Sequence, residues 1–176
     1  MSDTASQAKA AGGGMPFQTA TEWQDFYQKF GANGRTFRDF TQLTPESMEA
    51  IYMIAYNQYN GGKYEDAERI FQLLSFLDHF DERYWLGLGA SRERLKKYDE
   101  AIKAFTFLNV LNMDNPQPAL LIAKCHIAAG KSEDAQGALH ACVYLSGEKP
   151  EHADLKLQAQ NLLELLEAAQ RNLVAA

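Results

Sequence analysis

Residue types that catalyse reactions or bind metals occur in this chain, but their spacing predicts neither kind of site. The four histidines are scattered, and none stands at metal-ligand spacing from a cysteine or a carboxylate: they are His79, His126, His140 and His152. The glycine clusters at 12–14 and 61–62 are not followed by the Lys-Ser/Thr pair of a phosphate-binding loop. We therefore expect no enzymatic activity, no cofactor and no metal.

Tyrosine is the residue type whose spacing predicts a binding surface. Tyr52, Tyr56 and Tyr59 stand at i, i+4 and i+7, which places their rings on one face of a helix. Flat rings that carry a hydroxyl group suit a surface that grips an extended peptide. An apolar floor would be extended by residues at matching places further along the chain, namely Leu86, Ala90 and Leu120. In the alternative interpretation, the tyrosines pack under a helix from the N-terminal part of the chain.

The helix that carries these tyrosines belongs to a repeated unit. Residues 63–71 read KYEDAERIF, residues 97–105 read KYDEAIKAF, and residues 131–139 read KSEDAQGAL. Their alanines, Ala67, Ala101 and Ala135, are 34 residues apart, which is the period of the tetratricopeptide repeat, a pair of helices. The predicted fold is therefore all-α, with three tandem tetratricopeptide repeats that form a short right-handed solenoid.

Residue size within each repeat supports this fold. If Ala67 is position 20 of its repeat, position 8 of the second repeat is Gly89, and small residues at positions 8 and 20 allow two helices to cross closely. Larger residues, such as Trp85 at position 4, fill the space beside the crossing. The tyrosines then occupy positions 5, 9 and 12, which line the concave groove of a repeat array. Glycines mark the turn between helices in repeats 1 and 3, whereas repeat 2 has Lys96-Lys97 there.

The sequence predicts four regions: the repeats, two segments before them and one after them. Residues 1–20 have no apolar period and form a flexible tail, and residues 21–47 form an N-terminal helical arm with a helix at 21–30. The repeats occupy residues 48–147, and Thr44 before Pro45 predicts the start of their first helix. Residues 148–176 form a C-terminal helix that caps the last repeat, with a coiled-coil partner as the alternative.

Two leucines on the second helix of repeat 1 form a separate apolar feature. Leu73 and Leu77 occupy positions 26 and 30, and position 26 usually carries a polar residue that faces water. An apolar pair at these positions predicts either a contact with the N-terminal arm or a homodimer interface.

Composition excludes several classes of protein. The net charge of -6 argues against nucleic-acid binding, which usually depends on a basic surface. No apolar run approaches the roughly 18 residues of a membrane span, and no secretory signal is present, so we expect a cytoplasmic protein without stable membrane association. Cys125 and Cys142 are expected to be reduced core thiols, with a disulfide or redox pair as the alternative.

Two segments resemble a known family beyond the general repeat pattern. Residues 51–71 read IYMIAYNQYNGGKYEDAERIF, and residues 77–92 read LDHFDERYWLGLGASR. Both are similar to class II chaperones of bacterial type III secretion, which hold hydrophobic translocator proteins. The resemblance covers residues 22–147. The alanine- and glycine-rich N-terminal tail and the leucine-rich C-terminal helix depart from the family.

The resemblance implies a function without a chemical step. Members of the family keep translocators soluble and separate in the bacterial cytoplasm before export. They bind an extended Pro-x-Leu-x-x-Pro segment of the partner in the concave groove. Matching motif positions imply that Tyr64 joins the three groove tyrosines and that Phe105 adds an aromatic wall. Phe105 is also position 24 of its repeat, so the alternative is that its ring packs between the helices.

Two other functions remain open from the residues alone. A general tetratricopeptide adaptor for carboxylate tails needs Lys, Asn and Arg along its groove, where this chain has Tyr52, Tyr56, Gln117 and Leu121. A structural subunit of a larger assembly would use the C-terminal helix and the two leucines as permanent interfaces. Such an obligate subunit is expected to aggregate or to be unstable alone, unlike a chaperone.

Overall fold

The computed structural model of the protein describes residues 36–174. The predicted tail at 1–20 and the predicted helix at 21–30 lie outside the described residues. Within residues 36–174 the chain is all-helical, which confirms the predicted fold class. The helices are α1 (Pro45–Asn60), α2 (Tyr64–Leu77), α3 (Glu82–Arg94), α4 (Tyr98–Leu111), α5 (Gln117–Ala128), α6 (Ser132–Ser146) and α7 (Ala153–Val174), with short 3-10 helices at Phe37–Phe40 and Pro150–His152.

Consecutive helices pack as three hairpins, α1–α2, α3–α4 and α5–α6. Each second helix also packs against the first helix of the next hairpin, and α1 contacts α3 directly. Helix α7 packs on α6 and touches α5. The first helices of the hairpins therefore form one layer, the second helices form another, and α7 covers the end of the array.

Local sequence explains where the first helix begins. The Thr44 hydroxyl accepts a hydrogen bond of 3.2 Å from the backbone N–H of Ser47, and Pro45 takes the first helical position, which confirms the predicted start. Proline suits this position because its missing N–H would have no partner within the helix. Asp81 caps α3 in the same way by accepting from the N–H of Arg83.

The three turns inside the hairpins share one backbone geometry. Gly62 has φ +76° and Gly130 has φ +74°, while Lys96, at the equivalent position of the second hairpin, has φ 61°. The residue after each of them donates a 2.9 Å hydrogen bond to the carbonyl five residues earlier, as Lys97 does to Arg92. A left-handed conformation is strained for lysine, so the repeat geometry imposes this turn where the sequence indicates it least.

Close helix crossings form the core. The alanines at the predicted crossing positions are fully buried, as are the rings of Phe71 and Phe105. A methyl group added at Gly89 would overlap the Phe105 ring, and one added at Gly87 would overlap the Phe71 ring. These two glycines let α3 approach both neighbouring second helices.

Ion pairs connect successive hairpins. Glu68 on α2 accepts from Arg92 at 3.1 Å and from Lys97 at 2.6 Å, both of which belong to the next hairpin. Lys131, the equivalent of Lys97 one repeat later, pairs with a different position of the preceding helix, at 2.8 Å from Asp99. Among the helices in the described range, none is long and apolar enough to cross a membrane.

Candidate functional site

A pocket of about 220 Å³ opens between α1 and α3. Three tyrosines of α1 form one wall, α3 forms the other, and the buried ring of Phe71 lies at the base. The lining residues are Tyr52, Tyr56, Tyr59, Phe71, Arg83, Leu86, Gly87 and Ala90. We call this site the tyrosine pocket.

Five of the residues predicted from sequence to line the groove meet in this pocket: Tyr52, Tyr56, Tyr59, Leu86 and Ala90. The rings of Tyr52 and Tyr56 are stacked with centroids 6.2 Å apart, and 46% of Tyr56 is exposed. Tyr64 lies beside the pocket and not in its lining, with its ring edge-on to Tyr59 at 5.4 Å. Its hydroxyl accepts a 2.7 Å hydrogen bond from Arg94.

Two of the predicted groove residues are core residues instead. Phe105 is fully buried because its ring fills the space above Gly89. Leu120 is 2% exposed because it belongs to the core cluster that α5 and α6 form with α7, next to Ala159 and Leu163. Neither side chain offers surface to a peptide, so we remove both from the groove.

Arg83 is a lining residue that the sequence interpretation missed. Its guanidinium group donates to both oxygens of Asp81 and, at 2.9 Å, to Glu49 on α1. The same group lies 4.7 Å from the centre of the Tyr52 ring, which is a cation–π distance. Glu49 and Arg83 are 34 residues apart, so they carry opposite charges at equivalent positions of neighbouring repeats. That spacing is the feature of the sequence that could have predicted their contact.

Burial and charge set the protonation of the pocket. Burial raises the pKa of Tyr52 and Tyr59, so both hydroxyl groups remain neutral donors near neutral pH. Hydrogen bonds to Asp81, followed by those to Glu49, raise the pKa of Arg83 and keep it charged. The pocket thus combines apolar rings with a few fixed polar groups.

The residues that line the tyrosine pocket do not include a pair suited to acid–base or nucleophilic catalysis. The described part of the chain has no group of three or more metal-ligand side chains. Both cysteines are free and buried, as predicted, and burial raises the pKa of Cys125 to about 12, so its thiol is not activated.

The two leucines predicted to form either a contact with the N-terminal arm or a dimer interface have different environments. Leu73 is 50% exposed, but Leu77 is only 7% exposed because it packs into the core cluster between the first two hairpins. Leu77 is therefore removed from the predicted interface.

Comparison with known proteins identifies the family. The tetratricopeptide repeat model matches residues 48–81. Low calcium response locus protein H of Yersinia pseudotuberculosis is 33% identical over 145 residues, which cover 82% of this chain and 86% of that protein.

Solved structures agree with this relationship. The Yersinia enterocolitica type III secretion translocator chaperone SycD is 34% identical, with a TM-score of 0.67 over 74% of this chain and 90% of that chain. PcrH in complex with the chaperone binding region of PopD is 33% identical, with a TM-score of 0.68 over 73% of this chain and 97% of that chain. The chain therefore belongs to the family of translocator chaperones of type III secretion, which are built from tetratricopeptide repeats.

Proposed function

We propose that this protein is a non-enzymatic chaperone of the bacterial cytoplasm that binds hydrophobic translocator proteins and keeps them soluble and apart before export. An extended Pro-x-Leu-x-x-Pro-like segment of the cargo inserts its apolar side chains into the tyrosine pocket. The observation that carries this proposal is the pocket itself, in which three tyrosines of α1 face Leu86 and Ala90 of α3. The crystal structure of PcrH, a relative, in complex with the chaperone binding region of PopD supports the proposal that this chain binds a segment of a translocator.

The composition of the pocket suits a reversible grip. Each buried proline or leucine anchor contributes roughly 1.5–3 kcal/mol by transfer of apolar surface from water, before the ordering of the peptide is subtracted. The tyrosine hydroxyl groups and Arg83 can donate hydrogen bonds to the carbonyl groups of an extended chain. A few such anchors hold the cargo firmly enough to shield it and weakly enough to release it.

Peptide binding tests the proposal directly. A fluorescent peptide that contains Pro-x-Leu-x-x-Pro is titrated with the wild type and with a Tyr52→Ala/Tyr56→Ala variant, and anisotropy is measured. We expect the double variant to bind at least tenfold more weakly. A Met53→Ala/Asn57→Ala variant, altered at exposed positions of the same helix, is the matched control and should bind like the wild type. Equal binding by all three proteins would exclude the tyrosine pocket as the cargo site.

We further propose that Leu73 contributes to a homodimer contact. Its exposure on α2 supports this, whereas the burial of Leu77 confines the contact to the outer side of that helix. Sedimentation velocity of a Leu73→Asp variant is expected to show a lower dimer fraction than the wild type. An unchanged dimer fraction would place the interface elsewhere.

A further inference from the structure

Two arginines of α3 stand at opposite ends of the tyrosine pocket. Arg83, Gly87, Ala90 and Arg94 are spaced i, i+4, i+7 and i+11, so they form one stripe along the helix. The first three line the pocket. Arg94 therefore continues the same wall past Ala90, at the end where α3 stops.

An aromatic ring holds Arg94 in place beside the pocket. Its guanidinium group lies 5.0 Å from the centre of the Tyr64 ring and donates a 2.7 Å hydrogen bond to the Tyr64 hydroxyl. The Tyr64 ring in turn lies edge-on to Tyr59, which lines the pocket. A side chain that is already held loses less conformational entropy when it binds a ligand.

The charges of the two arginines are compensated differently. The guanidinium group of Arg83 donates to two carboxylates, those of Asp81 and Glu49. In the described part of the chain, no carboxylate forms an ion pair with Arg94. An arginine has five N–H donors, and the Tyr64 hydroxyl accepts from only one of them. The end of the pocket at Arg94 therefore carries a positive charge with donors to spare.

Glu93, the residue before Arg94, lies on the other flank of the stripe. Neighbouring residues of a helix project about 100° apart. The charge of Glu93 reaches Cys125 on α5, where it adds to burial in raising the pKa of the thiol to about 12. Burial raises the pKa of Tyr59, which Glu93 raises further and Arg94 lowers, so both charges border the pocket. Arg94 faces Tyr64 on α2, and its guanidinium group is not neutralised by this carboxylate.

The distance between the two arginines matches the length of the proposed cargo segment. Arg83 and Arg94 are eleven residues apart, which corresponds to about 16.5 Å along a helix axis. An extended Pro-x-Leu-x-x-Pro segment covers roughly the same distance between its two prolines, at about 3.3 Å per residue. A segment that lies along the stripe thus brings the residue flanking one of its prolines next to Arg94.

We propose that Arg94 is a specificity-determining residue, which selects cargo segments with an acidic side chain next to the terminal proline at its end of the pocket. A glutamate or aspartate there accepts charge-assisted hydrogen bonds from the guanidinium group. This inference rests on the proposed function. The protein has a net charge of -6, so it repels an acidic segment as a whole, and such a segment gains affinity only from a local cation.

Three fluorescent peptides without terminal charges test this role. All contain Pro-Gln-Leu-Gln-Gln-Pro. The uncharged peptide has glutamine on both flanks, and the other two carry one glutamate, either before the first proline or after the last. Each is titrated with the wild type, Arg94→Gln and Arg69→Gln. Arg69 is an exposed cation of α2 outside the pocket lining, so its variant is the matched control for net charge.

At least one glutamate peptide is expected to bind the wild type about three- to fivefold more tightly than the uncharged peptide does. This preference should disappear in Arg94→Gln and persist in Arg69→Gln. Glu93→Gln should also keep it, because that carboxylate does not neutralise Arg94. High salt should reduce the preference, as for any exposed ion pair. A gain by only one of the two peptides would also give the direction of the bound segment.

The proposal is overturned if neither glutamate peptide binds the wild type more tightly than the uncharged peptide, or if the preference persists in Arg94→Gln. Loss of the preference in Arg69→Gln as well would assign it to net charge and overturn the role of Arg94. Binding of the uncharged peptide to Arg94→Gln shows that this variant is folded. Failure of that peptide to bind the wild type would instead refute the proposed function, and this inference with it.

Discussion

At the scale of single residues, Tyr52 and Tyr56 have different roles in the same pocket. The Tyr52 ring packs edge-on against buried Phe71 at 6.0 Å and lies 6.0 Å from Tyr84, so it belongs partly to the core. Tyr56 touches Tyr52 and is otherwise open to solvent on 46% of its surface. A substitution at Tyr56 is therefore expected to change peptide binding with little effect on the stability of the fold.

Tyr56→Ala is expected to weaken binding of the Pro-x-Leu-x-x-Pro peptide by about 1–2 kcal/mol, roughly 5- to 30-fold, because an aromatic contact is removed from the pocket. The free energy of unfolding should change by less than about 1 kcal/mol, since the side chain is half exposed. Calorimetric titration and thermal unfolding measure the two effects. Met53→Ala, with the same exposure on the same helix, is the control. A large fall in Tm without loss of binding would identify Tyr56 as a core residue.

Arg83 is expected to hold Tyr52 in its binding position. Arg83→Gln removes the cation–π contact, which is worth about 0.5–1 kcal/mol at an exposed site, so peptide affinity should fall roughly two- to fivefold. Arg94→Gln removes a similar contact, over the Tyr64 ring at 5.0 Å, outside the pocket lining, and should leave affinity for the uncharged peptide nearly unchanged. Affinity for the peptide is measured by anisotropy. If Arg83→Gln and Arg94→Gln weaken it equally, Arg83 acts only through the net charge of the protein.

At the scale of helices, α3 is the element on which the others depend. Its two glycines receive the Phe71 ring from α2 and the Phe105 ring from α4. This packing explains why Phe105, which the family resemblance placed in the groove, is buried. A ring at position 24 fills the helix crossing when position 8 of the same repeat is glycine, and it then has no surface left for a peptide.

Gly89→Ala is expected to destabilise the protein by about 1–3 kcal/mol, because the new methyl group would overlap the enclosed Phe105 ring. Gly137→Ala on α6 is the matched control. Nothing lies within 4 Å of the added methyl group there, and alanine favours the helix by roughly 0.5–1 kcal/mol, so the control should be more stable than the wild type. Urea unfolding measures both changes. Two variants of equal stability would contradict the close crossing at Gly89.

At the scale of the whole array, ion pairs between hairpins make stability depend on pH. Burial alone would raise the pKa of Glu68, but hydrogen bonds and attraction from Lys97 and Arg92 outweigh burial and lower it below the ordinary value of 4.5. A carboxyl group whose pKa is lowered on folding stabilises the folded state above its unfolded pKa. That contribution is lost as the pH falls through the folded pKa.

Glu68→Gln should therefore be less stable than the wild type at pH 7, and the difference should shrink as the pH falls below about 4.5. Urea unfolding across this pH range gives the free energies. Glu133→Gln, which removes one exposed carboxylate from α6, controls for the change in net charge and should show a smaller difference at pH 7. If the free energies of unfolding of the wild type and of the Glu68→Gln variant change with pH in parallel, the ion pairs between hairpins add no net stability.

The sequence alone determined the fold class, the repeat interval and most of the pocket. The 34-residue spacing of Ala67, Ala101 and Ala135 reflects a packing requirement that recurs in each hairpin, and such local requirements can be read without coordinates. Position within the repeat also placed Tyr52, Tyr56 and Tyr59 on one face, because side-chain direction in a helix follows from spacing. The division into tail, arm, repeats and cap remains a prediction.

The tertiary structure decided which side chains stay accessible. Leu120 occupies a groove position in the third repeat, yet α7 covers it, because the end of a repeat array must bury its last apolar flank. Leu77 and Phe105 are likewise buried by neighbouring helices. Arg83 joins the pocket through Asp81 and Glu49, whose positions relative to it depend on how two hairpins stack. Spacing along the chain gives the direction in which a side chain points, but only the packing of helices distant in sequence determines what covers it.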